Sequence, residues 1–120
     1  MIQTACKELD KNNGNYPITT LARTLGLSER SLERRFQIHI GTTPKKYARI
    51  VRLRSTIFQR EKFSNWAEVA YVAGYYDQSH MINDFQELYG MSPDGIYPLM
   101  KASATLRFSG LLNLYHTLSC

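Results

Sequence analysis

Gly26-Leu27-Ser28-Glu29-Arg30-Ser31-Leu32-Glu33-Arg34-Arg35-Phe36 decides how the rest of the chain is read. It is a tight turn followed by a short amphipathic helix. A step of about 100° per residue, centred on Leu32, brings Phe36 to the same side and turns Arg30, Glu33, Arg34 and Gln37 to the opposite one. Ser28 is a good N-cap for the exposed amides of the first turn, and Gly26 tolerates the left-handed conformation that ends a preceding helix. That preceding helix is predicted over residues 18–25, where Ile18, Leu21, Ala22 and Leu25 share one apolar stripe. Two short helices joined by a glycine turn form a helix-turn-helix pattern, and a cationic outer face suits a helix that reads DNA. The same pattern describes many ordinary all-helical cores, so this stretch alone leaves both readings open.

Working outward, the whole chain has 120 residues, 43% of them hydrophobic, which is enough for a core without metals or disulfides. There is no apolar run of about 18 residues and no basic-apolar-small leader at the start, so neither a membrane span nor export is expected, and the default compartment is the cytoplasm. Cys6 and Cys120 lack a C-x-x-C spacing, and His39, His80 and His116 stand at no ligand-like interval to them, so no metal site is expected. The net charge of +5 is unevenly spread. Residues 1–62 hold 13 Lys and Arg against 5 Asp and Glu, whereas residues 63–120 hold 2 against 5. A basic first half in a helical domain suits a polyanion, and nucleic acid before a membrane surface.

Residues 1–11 read as a first helix with Ile2, Ala5, Cys6 and Leu9 as its apolar side, and the turn formers Asn12 to Pro17 follow. Gly41 closes the recognition helix, and Thr43-Pro44 opens a long one, with Thr43 capping and Pro44 at the first helical position. On this helix Tyr47, Ile50, Val51, Ile57 and Phe58 make the apolar side, and Lys45, Lys46, Arg49, Arg52 and Arg60 the cationic complement. A phosphate would sit at its start, beside Lys45 and Lys46. Asn65 caps the next helix, with Glu68 placed to reach back in a capping box. Met91-Ser92-Pro93 opens a last short helix that Gly95 weakens and Pro98 stops.

The chain also repeats itself. Ile18, Ala22 and Gly26 recur as Trp66, Ala70 and Gly74 at an offset of 48, and Phe36, Gly41 and Pro44 as Phe85, Gly90 and Pro93 at an offset of 49. One residue is added in the second turn, where Tyr75-Tyr76-Asp77 fills the place of Leu27-Ser28. Duplication of a turn glycine, a buried phenylalanine and a Gly-x-[ST]-Pro restart turns two weak motifs into a stronger one. In the second copy Ser79, Ile82, Asn83 and Gln86 face away from Met81 and Phe85, with Gln78 at the helix mouth. Gln78 and Asn83 suit adenine and Ile82 a thymine methyl, but no Lys or Arg lies on this helix, so its electrostatic hold on DNA is expected to be weak.

Taken together, Leu21-Ala22, Gly26-Leu27-Ser28, Leu32-Glu33-Arg34-Arg35-Phe36, Gly41-Thr42-Thr43-Pro44, Tyr47, Arg52-Leu53, Ala70, Gly74-Tyr75, Asp77-Gln78, Phe85 and Gly90-Met91-Ser92-Pro93 make residues 15–97 resemble the DNA-binding domain of AraC/XylS-type bacterial transcription regulators. The resemblance implies an all-α, homeodomain-like fold of about seven helices. Residues 1–50 form a first helix-turn-helix subdomain (recognition helix about 29–40), 43–61 a linker helix, and 62–98 a second subdomain (recognition helix about 78–89). Residues 99–120 form an extension, too apolar for a disordered tail, whose packing partner stays open.

The resemblance places Arg30, Glu33 and Arg34, and Gln78, Ser79 and Asn83, on bases in successive major-groove segments. It places Ser31, Thr43, Lys45 and Lys46 on phosphates. Arg35 is structural or a phosphate contact. Asn83 stands where the family commonly has a longer basic side chain, Ile96 replaces an aromatic and Thr56 an alanine. Members commonly carry a separate sensor or dimerisation domain, usually ahead of this one, which these 120 residues lack, so the chain is either a stand-alone regulator or, as expected here, a piece of a longer protein. No paired carboxylates, nucleophile with a base or Gly-rich phosphate loop appears, so neither catalysis nor a cofactor is expected. Double-stranded DNA is the expected partner, with the chain in the cytoplasm, on the nucleoid when bound. The alternative is that the first subdomain grips DNA while the second contacts RNA polymerase or another regulator.

Overall fold

The computed structural model describes residues 1–102 and builds them into seven helices, with no strand among the described residues. These are α1 (Ile2–Lys11), α2 (Ile18–Thr24), α3 (Glu29–His39), α4 (Pro44–Arg60), α5 (Trp66–Ala73), α6 (Gln78–Tyr89) and α7 (Pro93–Ala102). The all-α class expected from the sequence is therefore the one observed. The chain divides into two units, Met1–Val51 and one beginning at Arg52. Helix α4 gives residues 44–51 to the first and 52–60 to the second.

In unit 1, α1 buries Ile2, Ala5, Cys6 and Leu9, the stripe that a 3.6-residue period puts on one side. Leu21, Leu32 and Phe36 complete the core with no exposed surface. Tyr47 packs edge-on to Phe36, with ring centres 5.8 Å apart, and its hydroxyl donates to Asp10 Oδ1 at 2.9 Å. One aromatic side chain thus ties the start of α4 to both α3 and α1.

In unit 2, Leu53, Ile57, Trp66, Val69, Met81 and Phe85 form the core. Thr56 is fully buried, and its hydroxyl donates to the Leu53 carbonyl at 2.6 Å, so the polar group is satisfied within its own helix. Ile96 is buried in the same core.

Several local expectations need correction. Arg52 and Arg60, expected in the outward cationic complement, lie over aromatic rings instead, as does Arg54 on the same helix. The Arg52 guanidinium lies 5.3 Å from the Tyr75 ring centre, Arg54 5.9 Å from Phe58, and Arg60 5.3 Å from Trp66 and 5.4 Å from Tyr97. Their stems cover apolar surface, and the weakly hydrated guanidinium stacks where an ammonium would stay in water. Phe58, counted on the apolar side, is 39% exposed.

The last helix does not stop at Pro98 but runs through it to Ala102. Pro98 forfeits the hydrogen bond to the Asp94 carbonyl. The surrounding packing compensates. Trp66 Nε1 donates to Asp94 Oδ1 at 2.7 Å, Tyr97 packs perpendicular to Trp66 with ring centres 5.6 Å apart, and the Gly95 amide donates to Ser92 Oγ at 3.1 Å. Of the extension placed at 99–120, residues 99–102 are the last turn of α7, and the rest lies outside the described residues.

Tyr89, at the end of α6, has a buried hydroxyl with no hydrogen-bond partner among the described residues. Burial pushes its pKa up to about 12, with the Arg54 charge pulling part of the way back. Folding therefore favours the neutral phenol. The contribution is fully present below the ordinary tyrosine value near 10 and is lost as pH rises through about 12. Tyr89→Phe is expected to leave stability unchanged or slightly raised at neutral pH, since it removes an unsatisfied group. By about pH 11 the parent chain should have lost about 1 kcal/mol more than the variant in denaturant titrations. Equal losses in the two proteins would refute this account of the hydroxyl.

Candidate nucleic-acid interface

The turn between α2 and α3 is set by backbone geometry. Gly26 has φ +71°, a conformation that a Cβ strains, and the amides of Gly26 and Leu27 donate to the carbonyls of Arg23 and Ala22 at 3.0 and 2.9 Å. Ser28 is extended at the N-cap, and its Oγ accepts from the Ser31 amide at 3.1 Å. Helix α3 then starts in a fixed phase, with Leu32 and Phe36 wholly buried. That phase leaves Arg30, Glu33, Arg34 and Gln37 exposed.

Ser28, Arg30, Ser31, Glu33, Arg34, Gln37 and Thr43 line one open depression of about 680 Å³. Five residues picked out from the sequence, Arg30, Ser31, Glu33, Arg34 and Thr43, are thus brought together. Thr43 Oγ1 accepts from the Lys46 amide at 3.1 Å, which leaves its hydroxyl proton available to an anion. Lys45 and Lys46 are exposed in the first turn of α4, outside the depression lining but in the same unit. Arg35 is exposed, with Nη1 3.5 Å from Met1 Sδ.

Gln37, outward by phase but with no contact expected from sequence, also lines the depression. Its signal was the step of seven from Arg30, two helical turns along the same face as Arg30, Glu33 and Arg34.

Unit 2 repeats the construction. Gly74 has φ +90° and closes α5, Asp77 is the extended N-cap of α6, and Asp77 Oδ1 accepts from the His80 amide at 2.8 Å. Asn65 caps α5 by accepting from the Glu68 amide at 2.9 Å, while its own amide group donates to Glu68 Oε1 at 2.9 Å. The reciprocal bond of this capping box therefore runs between the side chains, not to the Asn65 backbone. Met81 and Phe85 are wholly buried, and Phe85 packs edge-on to Trp66 at 6.0 Å.

Gln78, Ser79, Asn83 and Gln86 are exposed on α6. Ile82, expected on that outer face, is half-buried. Asp84, which the sequence did not single out, is only 5% exposed and interacts within the protein. His80 is exposed and lies edge-on to Tyr75, with ring centres 5.7 Å apart.

The two units share a design: a capped helix locked by a buried pair, presenting a polar face behind a glycine turn. A family model described as "Helix-turn-helix domain" matches residues 21–96, from Leu21 in α2 to Ile96 in α7. The chain belongs to the AraC-type helix-turn-helix family. This AraC-type domain is 34% identical over 80 residues to the HTH-type transcriptional regulator GlxA of Rhizobium meliloti (strain 1021). The match takes in 65% of the chain and 24% of GlxA, so the chain spans about a quarter of that relative's length. No solved structure matches it significantly. Membership makes it a DNA-binding domain of transcription regulation. Among the described residues, no cluster of three or more His, Cys, Asp or Glu is placed to hold a metal, and no helix is long and apolar enough to cross a membrane.

Proposed function

We propose that the chain recognises double-stranded DNA by sequence and without catalysis, using α3 as the principal reading helix and α6 as a second one. The observation that carries this reading is the phase of α3. Leu32 and Phe36 are locked into the core while Arg30, Glu33, Arg34 and Gln37 line an open depression bordered by the hydroxyls of Ser31 and Thr43.

The chemistry of each group sets its role. Arg30 and Arg34 offer paired donors to guanine O6 and N7, and Glu33 accepts from a cytosine amine. Ser31, Thr43, Lys45 and Lys46 hold phosphates and set register without reading sequence. On α6, Gln78 and Asn83 offer the donor and acceptor pair that adenine needs, and Ser79 a single hydroxyl. In this reading the DNA-binding units, residues 1–50 and 62–98 with the helix over 43–61, belong to a longer cytoplasmic regulator with its own sensor or dimerisation domain, as the match to a quarter of GlxA supports.

The second reading gives unit 2 to a protein such as RNA polymerase. It is favoured by the lack of any Lys or Arg on α6 and by Tyr71 of α5, 84% exposed beside exposed Val72. Recovering bound duplexes from a random-sequence pool, then footprinting them, separates the two. Two protected major-groove segments about one helical turn apart are expected. Asn83→Ala should then cost about 1–3 kcal/mol and relax base preference in the second segment only. A single protected segment, with Asn83→Ala binding as the parent does, would favour the protein-partner reading.

A further inference from the structure

The turns of the two units differ by one residue, and the structure shows where the extra residue goes. In unit 1, Leu27 is half-buried against the core and Ser28 is the N-cap. In unit 2, Tyr75 takes the packed place, 5% exposed, with the Arg52 guanidinium on its ring, and Asp77 takes the cap. Tyr76 is left between them with no counterpart in unit 1. Its side chain is 91% exposed, more than any other large hydrophobic side chain among the described residues.

A lone exposed aromatic is ordinary. This one is held between the buried Tyr75 and the capping Asp77 at the mouth of α6, and α6 carries neither Lys nor Arg. The depression lining in unit 1 includes two arginines, and Lys45 and Lys46 lie in the same unit. If α6 is to read bases, the backbone beside it must be held by groups other than cations of that helix. A phenol is one such group. Its hydroxyl donates to an anionic oxygen, its flat ring covers sugar, and only two side-chain torsions must be fixed. Asp77 beside it is tied to the start of α6, its Oδ1 accepting from the His80 amide.

We propose that Tyr76 is a backbone contact of the second unit, its hydroxyl donating to a phosphate oxygen and its ring lying on the adjoining deoxyribose. The proposal rests on the DNA-binding reading of the preceding subsection. It assigns unit 2 a grip that is not ionic and therefore releases no counterion, unlike a lysine contact.

The test uses the full chain and a duplex that it selects from a random-sequence pool. Tyr76→Phe should bind that duplex about 3- to 10-fold more weakly, and Tyr76→Ala more weakly still, with the slope of log affinity against log salt unchanged. Ethylation interference should show a phosphate in the second segment that matters to the parent and no longer matters to Tyr76→Phe. Thermal melts of both variants should match the parent, because the side chain is outside the core. Parent-like affinity and interference in both variants would overturn the contact while leaving the DNA reading standing. Failure of the parent chain to select any duplex would overturn both.

Discussion

Phe36→Ala is expected to remove about 3–5 kcal/mol from the stability of unit 1 and to abolish DNA binding with it. The side chain is completely buried, touches the Tyr47 ring edge-on, and shares the core with Leu21 and Leu32. Truncation leaves a cavity where α3 is held in phase, so the cost is packing and geometry together. Phe36→Leu keeps most of the volume and should cost about 1 kcal/mol or less. The sole tryptophan, Trp66, lies in the other core, so its emission reports unit 2 while far-UV circular dichroism reports all the helices. In Phe36→Ala the circular dichroism loss should precede the Trp66 transition on heating. Coincident transitions at the parent midpoint would show that Phe36 does not hold α3.

Most of the helical layout was legible because local rules agree with packing. Ser28, Asn65 and Asp77 each stand one residue before a helix and each accepts the amide three residues on, a bond that depends on nearby backbone alone. Gly26 and Gly74 end their helices with positive φ for the same local reason. The buried pairs, Leu32 with Phe36 and Met81 with Phe85, follow from a period of four on one side of a helix. In the candidate site, exposure of Arg30, Glu33, Arg34, Gln78, Ser79 and Asn83 comes from the same phase argument.

What escaped depends on residues far apart in the chain. Pro98 is a stop signal by local rules, yet α7 continues because Asp94 and Tyr97 meet Trp66, some thirty residues earlier. Arg52 and Arg60 look like solvent-facing charges until Tyr75, Trp66 and Tyr97 are placed beside them. Asp84 sits on a polar helix and gives no sign in sequence that its carboxylate is enclosed. The depression on unit 1 likewise needs Thr43, which belongs to the loop after α3, to complete what α3 begins.

The second large effect concerns the two arginines of that depression. Arg34→Ala and Arg30→Ala should each cost about 1–3 kcal/mol of binding to a selected duplex, and the double variant close to the sum if the two touch different base pairs. Neither residue belongs to the core, so melting temperatures should stay with the parent. The kind of loss identifies the contact. An arginine on guanine fixes one base, so its removal should flatten preference there, and Arg34→Lys should restore it only in part, because the ammonium lacks the rigid planar fork that sets two parallel bonds to O6 and N7. Lys45→Ala, by contrast, should weaken all sequences alike and reduce the salt slope by about one, as expected for a phosphate contact. Affinities measured against single-base variants of the duplex over a range of salt separate the two classes. If Arg34→Ala weakened every sequence equally, Arg34 would be a phosphate contact and not a reader of bases, and specificity in unit 1 would have to come from Arg30, Glu33 and Gln37.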